Sequence, residues 1–78
     1  MSDTVFKEVS VFHDGKNGLA KQIFKYFIDN GRSVSQGIAK DPENPDYDRI
    51  FLSYETEKDA KIDRWAAGKR FHGKLTWH

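Results

Sequence analysis

A two-layer α+β sandwich, four antiparallel strands beneath two helices, is the fold class this sequence predicts, and three observations predict it. Val9 and Val11 alternate with Ser10 and Phe12 within Val5 to Phe12, and Ile50, Leu52 and Tyr54 alternate with Phe51 and Ser53 within Arg49 to Glu55, the period of a strand. Ala20, Ile23, Phe24 and Phe27 recur at i, i+3, i+4 and i+7, the stripe of a helix with one buried face. The elements follow in the order strand, helix, strand, strand, helix, strand, and a βαββαβ chain of this length closes as a ferredoxin-like sandwich with both helices on one face of the sheet. The other face is then left to solvent, and a function carried by the sheet lies there.

Element by element, Val9 and Val11 alternate with Ser10 and Phe12 in the first strand, and the stretch from His13 to Gly18 breaks it. The first helix runs to about Asn30, with Asn30-Gly31 as its stop. Arg32 to Lys40 is a second strand, with Val34 and Ile38 as apolar points and Gly37 weakening it. Asp41-Pro42-Glu43-Asn44-Pro45-Asp46 is a loop, because prolines and carboxylates neither ladder nor pack. Strand three covers about Arg49 to Glu55, with Ile50, Leu52 and Tyr54 inward and Phe51 and Ser53 outward. Thr56 caps a second helix of about Glu57 to Ala67, and Asp59, three residues on, answers the first-turn amides. Gly68 is its predicted left-handed stop. Lys74 to His78 closes the sheet.

Seventy-eight residues make one small domain, 1–78, with room for a two-layer core. Its 37% apolar and 14% aromatic content suits a folded core built on rings. There is no cysteine, so neither a disulfide framework nor a thiol-based metal site or nucleophile is available, and the expected location is cytoplasmic. The N-terminus lacks the order of a secretory signal, and no apolar run approaches the length of a membrane span. The net charge of +1 argues against binding by electrostatics alone and against an acidic mimic of DNA. Its distribution is uneven. From Lys40 to Glu57 two basic residues stand against six acidic ones, whereas from Lys58 to His78 six basic residues stand against two acidic ones.

The segment from Phe51 through Ala60, with Trp65-Ala66-Ala67-Gly68 and Phe71-His72-Gly73-Lys74-Leu75, resembles the back half of an RNA-recognition motif (RRM). That family's strand-three signature falls on Tyr47 to Tyr54, where Phe51, Leu52 and Tyr54 match, Arg49 replaces the first stacking aromatic and Asp48 stands where a glycine is usual. Its strand-one signature falls on Val9, Ser10, Val11, His13 and Asp14, where the two valines match and Phe12 supplies a ring two residues beyond Ser10. The resemblance implies a binding module for single-stranded RNA, since splayed bases stack on ring faces of an open sheet. Phe12 and Phe51 would stack, Arg49 would stack or pair phosphate, and Lys69, Arg70 and Lys74 would contact the backbone.

A second expectation is a protein-interaction or inhibitor module of the kind phages and mobile elements encode. It would use the sheet, the acidic loop (Asp41, Glu43, Asp46 and Asp48), whose carboxylates repel phosphate but suit a basic protein surface, or the helix-one flank around Leu19 and Tyr26. A third is a metal-dependent nuclease through Asp14, at the strand end where ferredoxin-like CRISPR-associated endoribonucleases carry a metal-binding aspartate. No second carboxylate or nucleophile accompanies it, His72 and His78 lack ligand spacing, and no phosphate loop, zinc motif or catalytic triad is present. The sequence therefore predicts a binding module rather than an enzyme, without metal or cofactor, whose partner is single-stranded RNA or a protein and not a membrane.

Overall fold

The structure, a computed structural model, describes residues 4–15 and 18–78. β1 (Val5–Phe12), α1 (Leu19–Asn30), β2 (Ser35–Lys40), β3 (Tyr47–Tyr54), α2 (Glu57–Arg70) and β4 (Leu75–Trp77) follow in the expected order. The strands form one sheet in the order β2-β3-β1-β4, each neighbouring pair antiparallel, which makes the chain a ferredoxin-like α+β fold.

The register decides which side chains share a face. Val9 lies opposite Ile50, Val11 opposite Asp48 and Lys7 opposite Leu52, so these residues face the helices. Phe6, Glu8, Ser10 and Phe12, opposite Ser53, Phe51, Arg49 and Tyr47, face away. The core packs Val9, Val11, Ile50, Leu52 and Tyr54 against Ala20, Ile23 and Phe27 of α1 and Ala60 and Ala67 of α2. Phe24 stands half-buried at its margin. Trp77 closes the β4 side, edge-on to Phe27 with ring centroids 5.7 Å apart.

Capping follows the sequence at the start of α2. The Thr56 hydroxyl accepts from the Asp59 amide at 3.1 Å and donates to the Asp59 carboxylate at 3.1 Å. α1 begins differently: Gly18 has no side-chain cap, and Asp14 Oδ1 accepts from the Leu19 amide at 3.4 Å.

Three boundaries differ from expectation by more than one residue; β4 is one residue shorter at each end than Lys74 to His78, and β3 ends at Tyr54 rather than Glu55. β2 starts at Ser35 rather than Arg32, because the Arg32 amide donates to Asp63 Oδ2 at 2.8 Å and is tied to α2 instead of a ladder. β3 starts at Tyr47, where pairing with Phe12 prolongs it. Gly68 does not stop α2, which continues to Arg70 and ends where the Phe71 amide donates to the Ala67 carbonyl at 2.8 Å. An interior glycine costs a helix about 1 kcal/mol, and the packing of Phe71 against Tyr26, centroids 5.4 Å apart, holds the extra turn. The left-handed glycine of this region is Gly73, in the turn before β4.

Candidate functional site

The sheet face opposite the helices is the candidate site. Three large rings stand on it in water: Phe6 is 77% exposed, Phe12 53% and Phe51 41%. Phe12 meets Tyr47 edge-on at 5.8 Å, and Gly37 lies opposite Phe51 with open space where a side chain would project, so the Phe51 ring is not walled in from β2. Phe6, which the strand-one motif left aside, has the same parity as Phe12, and that parity was the signal that could have found it.

Between the rings runs a charge network. Arg49 donates from Nη1 to Glu8 Oε1 at 3.1 Å and from Nη2 to Asp41 Oδ2 at 2.8 Å, while its buried Nε has no hydrogen-bond partner. Asp41 also accepts the Glu43 amide at 2.9 Å. That amide, followed by the Arg49 charge, outweighs burial and holds the Asp41 carboxyl below its ordinary value of 3.8. Beside this network Ser10 Oγ and His78 Nε2 share a hydrogen bond of 2.7 Å, and the hydroxyls of Ser35 and Ser53 bond across β2 and β3.

The acidic loop is therefore not four free carboxylates. Asp41 and Asp48 are both buried. The Lys40–Asp48 pairing draws Asp48 into the ladder, where its Oδ2 lies 2.7 Å from His13 Nδ1. Glu43 and Asp46 alone of the set remain exposed. The other sequence-predicted residues lie apart from the sheet face. Lys69 sits over the Trp65 ring at 4.5 Å, Arg70 over the rings of Tyr26 and Phe71 at 5.7 and 5.6 Å, and Lys74 is exposed in the turn before β4. Phe12, Arg49 and Phe51 thus share one face, and Lys69 and Arg70 belong to the helix layer. Leu19 and Tyr26 are half-buried and pack on the core, so the helix-one flank is largely used within the domain.

Asp14 caps α1, and among the described residues no group of three or more His, Cys, Asp or Glu side chains is arranged to hold a metal ion. Among the described residues no helix is long and apolar enough to cross a membrane. Comparison with protein-family models, with curated proteins and with solved structures found no match to this chain.

Proposed function

We propose that the chain is a protein-interaction module that docks through the open face of its sheet. The observation that carries this reading is the engagement of Arg49. It is the one lysine or arginine among the described strand residues of that face, and both of its terminal nitrogens are held by carboxylates. The face accordingly offers exposed phenylalanine rings and an excess of negative charge over positive, with Glu43 exposed on the adjoining loop. Aromatic rings with few uncompensated charges at their centre suit a protein partner, for which Phe and Tyr act as anchors. RNA binding on the same face, the function that the RRM likeness implies, needs cations aimed at phosphate, and Arg49 would have to leave two partners to supply one.

The test compares affinity capture by the wild-type chain and by the Phe6→Ser, Phe51→Ser double variant, followed by titration of the purified captured protein. The expected result is a partner that binds the wild type directly and is lost by the variant at unchanged melting temperature. A partner retained by the variant, or single-stranded RNA affinity abolished by these two substitutions, overturns the reading.

A further inference from the structure

We propose that the outer face of α2 is a second binding surface, for single-stranded nucleic acid, independent of the sheet face. The helix buries Ala60, Asp63 and Ala67 along one line. At 100° per residue, Lys58, Trp65 and Lys69 stand on the opposite side, with Lys61 beside them. All four are exposed.

The acids that ordinarily neutralise such a stripe are committed elsewhere. Glu57, one turn before Lys61, pairs with Lys7 of β1 at 3.0 Å. Asp59 pairs with Arg32 at 3.5 Å and bonds the Thr56 hydroxyl. Asp63 is buried and accepts from the Tyr54 hydroxyl and the Arg32 amide. Among the described residues, Lys58, Lys61 and Lys69 have no carboxylate partner, so the face carries an uncompensated positive field along about 16 Å of helix at 1.5 Å per residue.

Trp65 gives that field a chemical identity. It is 66% exposed in the middle of the cations, with the Lys69 ammonium 4.5 Å from its ring centroid. A flat ring flanked by lysines matches a ligand that alternates phosphates with stackable bases. A lipid surface asks instead for a continuous apolar patch around the tryptophan, whereas the exposed outward positions Lys58, Lys61 and Lys69 are all charged and the apolar neighbour on this side, Ile62, is half-buried. The sheet face, with its carboxylates, repels the same ligand, which separates the two surfaces.

The test is quenching of tryptophan fluorescence in the full chain by oligo-dT and oligo-U of about a dozen nucleotides across a salt series. The expected result is binding at low salt, with log affinity falling linearly in log salt by about 0.7 per phosphate contact. The Lys58→Gln, Lys61→Gln, Lys69→Gln triple variant should flatten that slope by about 2, three contacts' worth. Trp65→Ala, followed by fluorescence anisotropy of labelled oligonucleotide, should weaken binding about 5- to 150-fold, the loss of one stacked base. Phe6→Ser, Phe51→Ser should leave it unchanged. No oligonucleotide binding at low salt overturns the proposal. So does an affinity that Trp65→Ala leaves unchanged, as for a ligand held by charge alone, or binding lost with the sheet-face variant. Binding to polyglutamate or to anionic phosphatidylserine vesicles in place of the oligonucleotides overturns it in favour of an acidic protein or a membrane surface.

Discussion

The Tyr54 hydroxyl donates to the Asp63 carboxylate at 2.9 Å, joining the end of β3 to the middle of α2 inside the core. The same carboxylate oxygen accepts the Arg32 amide at 2.8 Å, so one buried side chain ties together β3, α2 and the segment that leads into β2. A buried carboxylate is tolerated only with such donors.

Removing the Tyr54 hydroxyl leaves that carboxylate a donor short. Tyr54→Phe should destabilise the fold by about 1–3 kcal/mol, the usual cost of an unsatisfied buried polar group, measured by urea denaturation at neutral pH. Burial, with the Asp63 hydrogen bond second, raises the phenol above its ordinary value of 10.0. Because the folded-state value is the higher one, the neutral phenol's contribution is complete below pH 10 and is lost as pH rises above it. The stability gap between wild type and Tyr54→Phe should therefore narrow above pH 10, and a constant gap would show that the phenol ionises alike in both states.

Asp41 supplies the opposite sign. Its folded-state value lies below 3.8, so its contribution is present above that pH and is lost as pH falls through the lowered value. Asp41→Asn should give a shallower fall of stability with acidification over that range than the wild type, read from urea midpoints at a series of pH values. An identical acid limb in the two proteins would show that Arg49 and the Glu43 amide do not favour the charged form.

Gly31 and Gly37 should respond oppositely to alanine. A Cβ on Gly31 would come within 2.5 Å of the Phe27 carbonyl oxygen and 2.9 Å of Asp63 Oδ2, and backbone cannot step aside cheaply. Gly31→Ala should cost about 1–3 kcal/mol. Gly37, with nothing within 4 Å, should accept alanine at no cost or with a gain of about 0.4–1 kcal/mol from the stiffer unfolded chain. Thermal melts of both variants check the pair.

Alternation along β3 has its own test. Ile50 and Leu52 are buried under the helices, and alanine at either should cost about 2–5 kcal/mol. Phe51, between them in sequence, projects to the other face, and Phe51→Ala should change stability by no more than about 0.5 kcal/mol. A large loss at Phe51 would mean that the ring is covered in solution.

Periodicity made the architecture legible. The parity of Ile50, Leu52 and Tyr54 against Phe51 and Ser53, and the spacing of Ala20, Ile23 and Phe27, are local properties of the chain, and they mark β3, α1 and the open face without any long-range contact. The Thr56 cap was legible for the same reason, since its partner is three residues away. Helix length at Gly68 was not, because glycine propensity is weak beside the contact that Phe71 makes with Tyr26.

By itself the sequence determined that Arg49 would stand on the open face and that Asp41 and Asp48 would belong to an acidic stretch between two strands. Only the tertiary structure decided what those charges do. Glu8 reaches Arg49 from 41 residues earlier in the chain, His13 meets Asp48 across 35, and Asp63 meets the Arg32 amide across 31. Such pairings have no period to reveal them. They depend on which strand lies beside which and in what register, and that choice is made by burial of the whole core rather than by any segment's own preference.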